Sequence, residues 1–120
     1  MDENVSVEIT GEGSVATVAF KAAAIIDLEV IVVISKQINE FIEKNHPKRL
    51  IFDFEQVKFF SSQVLGLLLD IRSKLQSYNG EVVISSINPQ LHRIFKITSL
   101  DTIFKFFPDK ESAISEVSTN

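Results

Sequence analysis

Cysteine is absent from this 120-residue chain. That excludes a disulfide framework, thiolate nucleophiles and cysteine-built metal sites. Histidine is almost as scarce: His46 stands before Pro47 and His92 beside Arg93, with no paired spacing to hold a metal. Positive charge is in deficit, 12 Lys and Arg against 16 Asp and Glu, for a net charge of −4. No basic footprint invites nucleic acid; Lys44, Lys48 and Arg49 form only a small cluster that reads as solvated. Long apolar runs are missing too. The stretch from Ala22 to Ile34 contains Asp27 and Glu29 and is too short and too charged to insert in a bilayer. Met1-Asp2-Glu3-Asn4 is acidic and lacks the basic and apolar regions of a signal peptide. A cytoplasmic protein fits these absences. No Gly-x-Ser-x-Gly elbow, P-loop or Rossmann glycine pattern occurs, and the carboxylates are scattered along polar faces. Neither an enzyme nor a cofactor or metal site is expected.

What remains is an ordinary globular composition, 45% hydrophobic and 23% charged, long enough for one domain with its own core. The expected domain spans 1–120, with short frayed tails at about 1–4 and 118–120. Val5, Val7 and Ile9 alternate with polar residues, which predicts a half-buried strand. Gly11-Glu12-Gly13-Ser14 is turn chemistry, and Val15 to Phe20 completes a hairpin. Lys21 to Ile26 is a connection, apolar enough to be packed or to face a partner. Asp27 is a candidate N-cap for a helix over Leu28 to Asn45. The run Ile31-Val32-Val33-Ile34 pulls toward strand, but apolar spacing through Ile38, Phe41 and Ile42 favours helix. His46-Pro47 ends it.

Arg49 to Phe54 reads as a central strand and Glu55 to Lys58 as a loop. Of Phe59 and Phe60, one is expected in the core and one partly exposed. A second helix runs from about Ser62 to Ser77, with Val64, Leu68, Ile71, Leu75 and Tyr78 on one face. Ser61 and Ser62 thus sit where strand passes to helix, and either hydroxyl could cap that helix. The helix N-terminus also tolerates a phosphate. Gly66 costs about 1 kcal/mol inside a helix, which suggests close approach to the sheet. Gly80 is expected to stop the helix in the left-handed conformation. Val82-Val83-Ile84 predicts a short strand, Asn88-Pro89 a capped third helix with Leu91, Ile94 and Phe95 inward. A last strand is expected near Ile103 to Phe106. Asp109 then caps a final helix with Ala113, Ile114 and Val117 inward. Strands alternating with helices imply a mostly parallel sheet with an antiparallel edge strand.

Several stretches together resemble a STAS domain of the bacterial anti-sigma factor antagonist type. They are Leu50-Ile51-Phe52-Asp53-Phe54, Val57 through Gly66, and Asn79-Gly80-Glu81-Val82-Val83-Ile84. Ile87-Asn88-Pro89, Phe95 through Asp101, Phe104, Pro108-Asp109 and Ala113-Ile114 follow in order. The resemblance implies an α/β fold with a mostly parallel sheet of four to five strands, an antiparallel edge and about four helices. It implies a regulator of transcription that works by partner switching. Unphosphorylated, such a protein binds an anti-sigma factor that is also a serine kinase; phosphorylated, it is released. Counting back from Leu65-Gly66 places the phosphorylation target on Ser62, with Ser61 the second choice. The family's Asp before the target is Ser61 here, and the residues after it are Gln63 and Val64. An ungapped count puts the family's loop aspartate on Asp27. The partner-binding set implied is Asp27, Phe60, Ser61, Ser62 and Gln63, and a homodimer is compatible. The alternatives are a phosphorylation-insensitive scaffold or complex subunit on the same fold, and a sensor of a small nucleotide or lipid ligand.

Overall fold

A computed structural model describes residues 7–118 of the chain. Val7–Glu12 (β1) and Val15–Phe20 (β2) form the hairpin, turned at Gly13 with φ of 63°. After Ala24–Ile25 (β3) come Leu28–Asn45 (α1), Arg49–Asp53 (β4) and Phe59–Phe60 (β5). Ser62–Gln76 (α2), Glu81–Ser85 (β6) and Pro89–Ile97 (α3) follow. A 3-10 turn at Leu100–Thr102, Lys105–Phe107 (β7) and Lys110–Ser118 (α4) complete the order. The main sheet runs β1-β2-β4-β6-β7, antiparallel at β1–β2 and parallel elsewhere. Right-handed crossovers that always advance in one direction put α1, α2 and α3 on one face.

Side-chain alternation divides the core in two. Val18, Phe20, Leu50, Phe52, Val82 and Ile84 face the three helices, which bury Ile34 and Ile38 of α1, Leu68 and Ile71 of α2 and Phe95 of α3 against them. Val15, Ile51 and Val83 face the other way and meet Ala113 of α4. Phenylalanines link the sheet to the β3–β5 pair. Phe20 and Phe54 rings lie 4.9 Å apart, Phe54 and Phe60 5.7 Å, Phe60 and Phe95 6.2 Å. Each such ring buries roughly 150–250 Å², so the chain around β5 is anchored from below.

Some expectations change. The connection Lys21 to Ile26 contains β3, which pairs in parallel with β5 as a second, two-stranded sheet. Ala24 and Phe59 point outward from it, Ile25 and Phe60 inward. Gly66 is exposed, and a Cβ built on it meets nothing within 4 Å; close approach to the sheet does not explain it. Gly80 is not left-handed. Asn79 takes that conformation, with φ of 69°, while a Cβ on Gly80 would come within 3.1 Å of Leu75. The last strand begins at Lys105, because Leu100 to Thr102 first winds into the 3-10 turn. Ser118 closes α4. The expectations for Val5, the tails 1–4 and 119–120, and the inward face of Val117 fall outside the described residues and side chains.

Candidate functional site

The N-termini of α1 and α2 emerge at the same end of the sheet, and the β3–β5 ribbon ties them together. Lys58 N–H and Phe59 N–H both donate to Ala23 O, at 2.7 and 3.2 Å. Ser61 N–H donates to Ile25 O at 3.0 Å. Ser62 therefore sits one residue from a backbone bond whose other end is two residues from Asp27. The loop that leads into β5 is braced as well: Asn88 Nδ2–H donates to Val57 O at 3.1 Å.

Ser62 is the first residue of α2 and is exposed. Ser61 is the N-cap by backbone conformation, φ −84° and ψ 165°, yet its side chain makes no capping bond. Its Oγ is sealed from solvent and has no partner. The expectation that a serine hydroxyl caps α2 is thus corrected: the extended backbone at Ser61 is held by Ile25 O, and its hydroxyl makes no bond to the first N–H groups of the helix. The other helices are capped. Asp27 Oδ1 accepts from Glu29 N–H at 2.9 Å, Asn88 Oδ1 from Leu91 N–H at 2.9 Å, and Asp109 Oδ1 from Ser112 N–H at 2.7 Å. At α2, Val64 N–H bonds Ser61 O at 3.0 Å, which leaves the N–H groups of the very first residues to solvent or a ligand. An exposed hydroxyl beside open donors at a helix N-terminus is where an added phosphoryl group is best tolerated.

Asp27, Ser61, Ser62 and Gln63 all belong to this end of the molecule. Phe60 does not reach its surface. It is 9% exposed and packed on Phe54 and Phe95, so it cannot face a partner. Phe59 is the exposed member of the pair, at 51%. Ile26 and Leu28, on either side of Asp27, are exposed too, at 53% and 57%. Composition alone marked the Lys21 to Ile26 connection as unusually apolar for a loop; within it Ile25 is buried and Ile26 is exposed. Among the described residues no group of three or more His, Cys, Asp or Glu could hold a metal ion. No helix among them is long and apolar enough to cross a membrane.

Comparison with known proteins gives a consistent result. A family model described as the STAS domain matches residues 6–113. The anti-sigma F factor antagonist of Paenibacillus polymyxa is 22% identical over 81 residues, which are 68% of this chain and 69% of that one. The TM1081 homologue of Thermotoga neapolitana, named with the anti-sigma factor antagonists, is 32% identical over 81 residues, 66% of this chain and 69% of that one. Among solved structures, the anti-sigma factor antagonist SpoIIAA in its unphosphorylated form superposes with a TM-score of 0.84 at 18% identity, covering 95% of this chain and 97% of that one. The phosphorylated form of the Bacillus protein superposes with a TM-score of 0.74 at 19% identity, over 92% and 98%. At that identity the superpositions bear on fold.

Proposed function

The chain belongs to the STAS domain family, and on that premise we propose that it is an anti-sigma factor antagonist, switched by phosphorylation of Ser62. Unphosphorylated, it docks through the joined N-termini of α1 and α2 on an anti-sigma factor that is also a serine kinase. Phosphorylation ends the docking, and the whole exchange takes place in the cytoplasm. The observation that carries this reading is the exposed Ser62 at an uncapped helix N-terminus, at the end of the molecule that also exposes Ile26, Leu28 and Phe59.

The physics is local. A phosphoryl group adds about −1.5 to −2 charges and three acceptor oxygens. The open N-terminus of α2 favours that charge by roughly 0.3–1 kcal/mol, so the modified fold persists. The same charge set among exposed apolar side chains prevents a partner from closing over them, because burying it unpaired costs several kcal/mol or more. Asp27 and Glu29, on the adjoining helix start, add repulsion of the same sign. Ser61 is the inferior acceptor, since its hydroxyl is sealed.

The test is phosphosite mapping after incubation with the cognate kinase and ATP. Phosphate on Ser62, and none after Ser62→Ala, is the expected result. Absence of phosphate on Ser62 would favour the phosphorylation-insensitive scaffold, to which Ser61 and Val64 in place of the family's Asp and Gly also point.

A further inference from the structure

The second face of the sheet carries a cleft remote from Ser62. α4 lies over the central strands, with Ala113 on Ile51 and Val83, and leaves the hairpin end of that face partly open. There Thr10, Gly11, Val15, Thr17, Lys110 and Ile114 line a cleft of about 390 Å³, near the lower end of the roughly 300–1,000 Å³ usual for small-ligand sites.

Its polar groups converge. Thr10 and Thr17 are direct cross-strand partners of β1 and β2, so both side chains leave the sheet on this face. Thr17 is 5% exposed, and it lines the cleft. Lys110 and Ile114 stand one turn apart on α4, on the same side of the helix. Lys110 is half-buried and has no carboxylate within ion-pair distance among the described residues. Two neighbouring acids are engaged elsewhere: Glu8 pairs with Lys21 at 3.3 Å, and Asp109 caps Ser112 N–H. The remaining lining, Val15 and Ile114, is aliphatic.

We propose that this cleft binds a small amphipathic carboxylate. Its carboxylate is held by the Lys110 ammonium and the Thr17 and Thr10 hydroxyls, and its short aliphatic part lies on Val15 and Ile114. One ammonium balances the single charge of a carboxylate, whereas a phosphate dianion would keep an uncompensated charge in the cleft. The site is separate from the Ser62 surface, on the opposite face of the sheet, and stands whether or not that serine is modified.

Amide-shift titration of the whole protein tests it, with hexanoate as probe, 1-hexanol as its uncharged counterpart and inorganic phosphate as an anion without a tail. Hexanoate is expected to give saturable shifts at Thr10, Gly11, Thr17 and the first turn of α4, and none at Ser62. Hexanol, and hexanoate with the variant Lys110→Met, are each expected to bind about tenfold more weakly or worse, the loss due to one charge-assisted hydrogen bond; phosphate, which lacks the aliphatic part, is expected to bind more weakly than hexanoate as well. Thr17→Val, which keeps the volume and removes the hydroxyl, is expected to weaken hexanoate as well. Absence of saturable shifts at millimolar hexanoate overturns the proposal. So does equal binding of hexanol, or full affinity in Lys110→Met with an otherwise unchanged spectrum.

Discussion

Asn88 holds two elements with one side chain. Its Oδ1 caps α3 at Leu91 N–H, and its Nδ2–H satisfies Val57 O in the loop before β5. Asp27 does only the first kind of work, at Glu29 N–H. Replacement by alanine is therefore unequal. Asp27→Ala is expected to cost about 1 kcal/mol, the usual worth of a cap. Asn88→Ala is expected to cost about 2 kcal/mol or more, since a buried carbonyl also loses its donor. Urea unfolding of the two variants checks the order. Tyr78 makes a second test, because it is the only tyrosine and there is no tryptophan to obscure it. Burial holds its phenol above the ordinary range, and its hydroxyl donates to Pro47 O at 2.8 Å. A folded-state pKa above the unfolded one means stability that is complete below about pH 10 and is lost as pH rises through the folded value. Tyrosinate absorbance should accordingly have its midpoint above that of the urea-unfolded chain, and Pro47–Tyr78 anchoring should weaken only beyond it.

At the scale of elements, α1 was legible in full, because Ile31, Ile34, Ile38 and Ile42 keep helical spacing across a β-branched run and all are buried. Its bounds and its Asp27 cap match the expectation. The β3–β5 ribbon was not legible. Two residues carry no periodicity, and which of Phe59 and Phe60 points inward depends on pairing with Ala24 and Ile25. The same pairing takes the Ser61 backbone to Ile25 O, so the failure of its hydroxyl to cap α2 follows from contacts distant in sequence. Placement of Ser62 at the mouth of α2 needed only a strand followed by a helix, and was legible from that alone. The two glycines of α2 and its exit separate cleanly. Gly66 is exposed with open space around its absent Cβ, so Gly66→Ala is expected to stabilise by about 1 kcal/mol through helix propensity. Gly80 packs against Leu75 with no room for a methyl group, so Gly80→Ala is expected to destabilise by about 1–3 kcal/mol. Thermal or urea unfolding distinguishes the two signs directly.

For the whole molecule, the architecture separates what must stay fixed from what changes. The interlocked phenylalanines and the buried faces of α1 and α2 lie below the β3–β5 ribbon. Ile26, Asp27, Leu28, Phe59 and Ser62 lie above it, with no part in the core. A charge added at Ser62 thus meets solvent and open backbone donors in the free protein, and in the proposed complex it would meet a partner's surface. The proposed switch needs that separation. Ser62→Asp mimics part of the phosphate charge and permits both halves to be measured on one variant. The decisive measurement is calorimetric titration of wild type and Ser62→Asp with the proposed anti-sigma partner, paired with urea unfolding of each free protein. At least about a tenfold loss of affinity is expected, equivalent to 1.4 kcal/mol, with stability unchanged within about 0.5 kcal/mol. Equal affinities, or a loss of affinity matched by a loss of fold, would contradict it.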